Sequence, residues 1–138
     1  MSQGNVGRGR VIVAYEPMTI ANLAQRLVAA SDPGVRWKVV WEFLEEYRWE
    51  PADRQAALLT DEPALTGDQR WDVLLAAIGE HLSAQRDAAP PSWSRSRFLV
   101  TPWFPSSLPS KRMEALALAP AAFRKHGVYL SARDLEAA

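Results

Sequence analysis

From Thr19 onward, apolar residues recur at helical spacing. Ile20, Leu23, Leu27 and Val28 fall on one face, with Asn22, Gln25 and Arg26 turned away from it, which predicts a first helix over 19–30. Asp32-Pro33-Gly34 is turn chemistry and ends that helix. The pattern resumes over 35–49, where Trp37, Val40, Trp41, Leu44 and Tyr47 form the apolar stripe and Trp49 closes it. Lys38 and Glu42 make an i,i+4 pair on the polar side. Pro51 suits the first turn of a short third helix reaching about Leu59, and Asp61-Glu62-Pro63 stops it. Thr66 and Gln69 are spaced as a capping box, opening a fourth helix with Trp71, Leu74, Leu75, Ile78 and Leu82 on one side.

The period fails after this helix. Pro90 and Pro91 remove backbone donors, and the following SWSRSRFLVTPWFPSSLPS mixes aromatics, prolines and serines with no regular repeat. Helix returns over Lys111–Leu118. Pro120 restarts a short one through Lys125, and Gly127 is a natural stop. Val128-Tyr129-Leu130 reads as a short strand, and Ser131 caps a last turn over 132–138. The expected architecture is mainly α: a compact helical domain with a proline-broken C-terminal portion and at most one or two short strands. Its parts are a helical portion over 18–87, an irregular segment over 88–110 and short helices over 111–138. Residues 1–17, holding Gly4, Gly7 and Gly9, form a flexible or edge-strand extension outside the single domain at 18–138.

Composition narrows the chemistry. A chain of 138 residues, 48% apolar and 23% charged, is ordinary for one globular domain. With no cysteine it has no thiol nucleophile, disulfide or zinc ribbon. No apolar run approaches the length of a spanning helix and no signal peptide is visible, so a cytoplasmic location is expected. His81 and His126 are the only histidines and lack metal-ligand spacing, so both read as structural residues near helix ends. There is no phosphate loop and no GxSxG elbow, and no nucleophile can be matched with a base. The chain is therefore expected to be no enzyme and to need neither metal nor cofactor.

Charge is unevenly placed although the total is zero, with sixteen basic against sixteen acidic residues. Residues 42–80 hold ten acids and three bases, whereas both flanks are basic. Glu42, Glu45 and Glu46 share a helical face that invites a basic protein partner. Trp93, Arg97, Trp103 and Phe104 lie in the irregular segment, where aromatics beside arginines are the residue types of interface anchors. An alternative is a nucleic-acid-binding regulator using Arg95, Arg97, Lys111, Arg112, Arg124 and Lys125. The first two helices have a helix-turn-helix outline, but the second is acidic and phosphates would repel it.

Three stretches, RWKVVWEFLEEYRWEP (36–51), LLTDEPALTGDQRWDVLLAAIGEHLSAQ (58–85) and APAAFRKHGVYLSARDLEAA (119–138), resemble a group of small uncharacterised actinobacterial helical proteins. The likeness runs from about Met18 to the end. Genes of that group lie beside predicted nucleotidyltransferases of the abortive-infection toxin type. The resemblance implies an antitoxin-like or accessory partner of such a protein, with no catalytic residue to carry across.

Overall fold

Local chemistry sets most helix boundaries in the computed structural model, which describes residues 16–136. Helix α1, Ile20–Ala29, opens on a true capping box: Thr19 Oγ1 accepts from the Asn22 amide and the Asn22 side chain accepts from the Thr19 amide. Helix α2, Pro33–Arg48, begins with Asp32 as N-cap, its carboxylate accepting from the Val35 amide, and with proline in the first turn. The Asp32-Pro33-Gly34 turn thus opens a helix two residues earlier than its turn chemistry suggests. Helix α3, Ala52–Leu58, follows Pro51.

Helix α4, Gln69–Gln85, is the centre of the fold, with every residue from Trp71 to Gly79 buried. Burial all round marks a helix enclosed by others rather than one resting on a surface. Its N-cap is Asp68, not Thr66. The Thr66 amide and hydroxyl instead both donate to the Asp72 carboxylate, at 2.7 Å each, which folds the preceding loop back over the first turn.

Helix α1 packs on α2 and α4 through Ile20, Leu23, Ala24 and Leu27, whereas Val28 lies off this stripe and is exposed. Helix α2 buries Val39 and Phe43 in addition to Val40, Leu44 and Tyr47, and it contacts both α1 and α3. Trp49 does not close the core. It follows the helix as its C-cap, is 76% exposed, and donates its indole N–H to Glu45.

Beyond α4 come a 3₁₀ turn, Ser92–Ser96, and helices α5 (Pro109–Leu118), α6 (Ala121–His126) and α7 (Ala132–Glu136). The expected strand at Val128-Tyr129-Leu130 reduces to one parallel bridge between Trp103 and Val128. Two bonds make it, Trp103 N to Gly127 O and Tyr129 N to Trp103 O, both 2.8 Å. Gly127 ends α6 at φ +86°, and a Cβ there would meet the Leu99 carbonyl oxygen at 2.8 Å, so both conformation and space require glycine. The fold is compact and mainly helical, with seven helices and no sheet among the described residues. The expected extension at 1–17 lies almost wholly outside those residues. From Met18, whose amide donates to Glu46 at 2.7 Å, the chain belongs to the core.

Candidate functional site

The acidic triplet of α2 is occupied within the molecule. Glu42 pairs with Arg26 of α1 at 2.9 Å rather than with Lys38. Glu45 pairs with Arg48 at 2.9 Å and accepts from Trp49, and Glu46 accepts from the Met18 amide. Glu42 and Glu45 remain exposed, but each has a guanidinium beside it that neutralises the charge a basic partner would sense.

The aromatic–arginine set is mostly inside. Trp93 is buried against Gly79 of α4, and its indole N–H donates to the Leu59 carbonyl at 3.1 Å. Arg97 is likewise buried. It donates to the Asp72 and Pro63 carbonyls and the Glu62 carboxylate, and its guanidinium lies over the Trp93 ring. Both are internal staples rather than exposed anchors, because these long-range acceptors draw them inward. Trp103 is half-buried and joins Trp37, Trp41 and Trp71 in one aromatic cluster, with Trp37 and Trp71 centroids 4.9 Å apart. Arg36 stacks over Trp71 and Arg70 over Trp103. Phe104, also half-buried, stacks on Tyr129 with Arg112 over it.

The basic residues of the nucleic-acid alternative are largely engaged too. Lys111 bonds Asp134 and Lys125 bonds Glu80, at 3.1 and 2.9 Å. Arg124 donates to the Leu116, Ala117 and Ala119 carbonyls at the end of α5. Arg95 is exposed and makes no hydrogen bond or ion pair among the described residues. His126 is fully buried between two acceptors, the Arg97 carbonyl and the Glu80 carboxylate. It ties α4 to α6 and is therefore structural. No group of three or more metal-ligating side chains occurs among the described residues.

Two features were not legible in the sequence. The first is the outer side of α5. Six of the ten exposed large apolar residues among the described residues (Phe98, Val100, Leu108, Met113, Leu116 and Leu118) fall between 98 and 118, which concentrates uncovered apolar surface on this helix and the segment leading to it. Met113 is 67% and Leu116 47% exposed, while Ala115 is the buried residue of the helix. The exposure is not fraying, because the Arg124 clamp holds the last carbonyls and Lys111 pins the first turn to α7. Spacing of three between Met113 and Leu116 was the available signal, but periodicity does not say which stripe faces inward.

The second is a cavity of about 340 Å³ among α2, α3, α4, α6 and α7. Leu44, Ile78, Leu82, Phe123 and Leu135 supply its apolar wall. Tyr47 Oη accepts from Arg86 Nε at 3.0 Å, and burial pushes the phenol pKa up despite that neighbour, so the hydroxyl stays protonated. His81 stands edge-on to Phe123 at 5.6 Å; burial lowers its pKa, against a smaller opposing pull from Glu136. These groups come from residues 44–136 and meet only in the folded chain.

No helix among the described residues is long and apolar enough to cross a membrane. Comparison with protein-family models, with curated proteins and with solved structures gives no match.

Proposed function

We propose that the chain is a non-enzymatic docking module of the cytoplasm, the antitoxin-like or accessory partner of a nucleotidyltransferase-type protein. The docking half of this reading is carried by α5, a clamped helix that presents Met113 and Leu116 outward. A pre-ordered apolar face loses little entropy on binding, and burying each such side chain contributes about 1.5–3 kcal/mol. The choice of partner follows from the resemblance of residues 36–51, 58–85 and 119–138. The internal pairing of Glu42 and Glu45 favours α5 over the acidic face as the docking surface.

The test is affinity capture of the tagged full chain from its host after nuclease treatment, beside a Met113→Glu, Leu116→Glu double variant. The expected result is a nucleotidyltransferase-type protein captured one-to-one by the parent chain and depleted by roughly ten-fold or more by the variant. The variant should unfold at the same temperature as the parent, since both positions are exposed. Equal capture by both chains would overturn α5 as the surface. Recovery of nucleic acid without a protein would overturn the docking reading.

A further inference from the structure

The cavity among α2, α3, α4, α6 and α7 has a chemical polarity that protein docking on α5 does not use. Its volume sits at the lower end of the range for small-molecule sites, about 300–1,000 Å³. Leu44, Ile78, Leu82, Phe123 and Leu135 give it hydrocarbon. Three further lining residues carry donors that lack acceptors. Arg86 spends Nε on the Tyr47 hydroxyl, and its two terminal nitrogens make no hydrogen bond among the described residues. Tyr47, having accepted that bond, retains an O–H proton to give. His81 makes no hydrogen bond among the described residues, and a neutral imidazole still offers one N–H.

Arg48 and Glu136 complete the charged groups of the lining. Arg48 is engaged by Glu45 and by the Glu136 carbonyl. Glu136 is the one carboxylate of the lining among the described residues, and with Arg48 taken by Glu45, Arg86 is the guanidinium whose terminal donors are left for a ligand. Gln55 is committed to the Tyr47 carbonyl at 2.9 Å, which fixes the α2–α3 side of the wall. A cation would meet the Arg86 guanidinium and gain no acceptor from Tyr47, whose oxygen is already bonded. A neutral apolar molecule would fill the wall but strand the donors, which costs about 1–3 kcal/mol for each group it covers.

We propose that this cavity is a binding site for a small monocarboxylate with a flat apolar body, of the arylalkanoate class. The ring lies on Phe123, Ile78 and Leu82, and the carboxylate receives Arg86, with Tyr47 Oη and the His81 N–H as neutral donors. Guanidinium is the side chain best matched to a carboxylate, through two parallel bonds in one plane.

Three probes with the same body and different heads separate the terms: 4-phenylbutyrate, 4-phenylbutanol and 4-phenylbutylamine, titrated into the full chain and followed by amide and methyl NMR shifts. The carboxylate is expected to bind at millimolar or better affinity and to shift Ile78, His81, Leu82 and Arg86. The alcohol should bind roughly ten-fold or more weaker, and the amine weaker still. Arg86→Met should reduce carboxylate affinity by roughly ten-fold while leaving the alcohol unchanged. Leu82→Trp, which fills the wall, should abolish binding of both.

Tyr47→Phe keeps the ring and removes one donor. It gives a second reading should Arg86→Met unfold, with an expected loss of roughly three- to ten-fold for the carboxylate. Equal affinity for all three heads, no saturable shift at about 10 mM, or shifts that survive Leu82→Trp would each overturn the site. The Met113→Glu, Leu116→Glu chain should bind 4-phenylbutyrate unchanged, so failure here and failure of docking on α5 remain distinguishable.

Discussion

Replacing Glu80 by leucine leaves the buried His126 Nε2 without its hydrogen-bond partner. His126 is fully buried, its Nδ1 faces the Arg97 carbonyl, and its Nε2 lies 2.8 Å from Glu80 Oε1. Both partners are acceptors, one facing each ring nitrogen. Glu80 also receives Lys125 at 2.9 Å, but the lysine side chain is 56% exposed against 14% for Glu80. Solvent screens that arm, which contributes about 0–1 kcal/mol. Breaking the buried arm costs about 3–5 kcal/mol, because it strands a desolvated partner. Glu80→Leu should therefore lose about 3–4 kcal/mol at pH 6, lowering the unfolding midpoint by roughly 10–20 °C in a chain of this size. Glu80→Gln keeps an acceptor for the ring and should lose about 1–2 kcal/mol. Lys125→Ala should lose under about 1 kcal/mol.

Burial alone would raise the Glu80 pKa. The hydrogen bonds from His126 and Lys125, with their charges, outweigh it and hold the carboxyl below its usual value of 4.5. A depressed folded-state value gives stability that is complete above the unfolded value and is lost as pH falls through the folded one. The gap between the parent and Glu80→Gln should then close in acid, below about pH 4.5. Urea titrations of the four chains from pH 3 to pH 7 check this. A Glu80→Leu loss no larger than that of Lys125→Ala, or a gap that persists unchanged at pH 3, would refute the assignment of stability to the buried arm.

Two further expectations use the same urea titration. Gly127→Ala should lose about 2–4 kcal/mol, combining a left-handed backbone with contact on the Leu99 carbonyl, whereas Gly67→Ala, at φ +93° in open space, should lose only about 1 kcal/mol. Equal losses would show that the contact carries nothing. Arg97→Lys should lose about 3 kcal/mol, because an ammonium cannot reach the Asp72 and Pro63 carbonyls and Glu62 together while stacking on Trp93. A loss below about 1 kcal/mol would return Arg97 to the surface role its neighbours in sequence suggest.

The two additional features of the fold bear on regulation in different ways. The exposed side of α5 and the cavity are separate surfaces, yet α5 packs on α7, and α7 contributes Leu135 and Glu136 to the cavity lining. Occupancy of the cavity and docking on α5 would therefore share one five-residue helix, Ala132–Glu136. Measuring partner affinity with and without 4-phenylbutyrate would read any coupling directly, and by linkage the partner would change probe affinity by the same factor.

The helices were legible because their causes are local. Spacing of apolar residues, proline at the start of α3 and α6, and glycine at the end of α6 act within a few residues, so the mainly α architecture follows from the chain read in short windows, whereas Pro33 and Pro109, read as breaks, open α2 and α5. Short windows could not determine what faces what. Trp93 and Arg97 looked like interface residues because prolines and serines surround them, yet they bond to Leu59 and Pro63, each 34 positions away. Glu42 found Arg26 on α1 instead of Lys38 on its own helix. Capping at α4 moved from Thr66 to Asp68 because Asp72 captured the threonine. The Trp103–Val128 bridge, the four-tryptophan cluster and the cavity all join segments distant in sequence. The sequence by itself determined where helix can form. Tertiary packing alone decided which stripe of α5 stays outside and which donors meet at the cavity, since burial is a property of neighbours that no window of the chain contains.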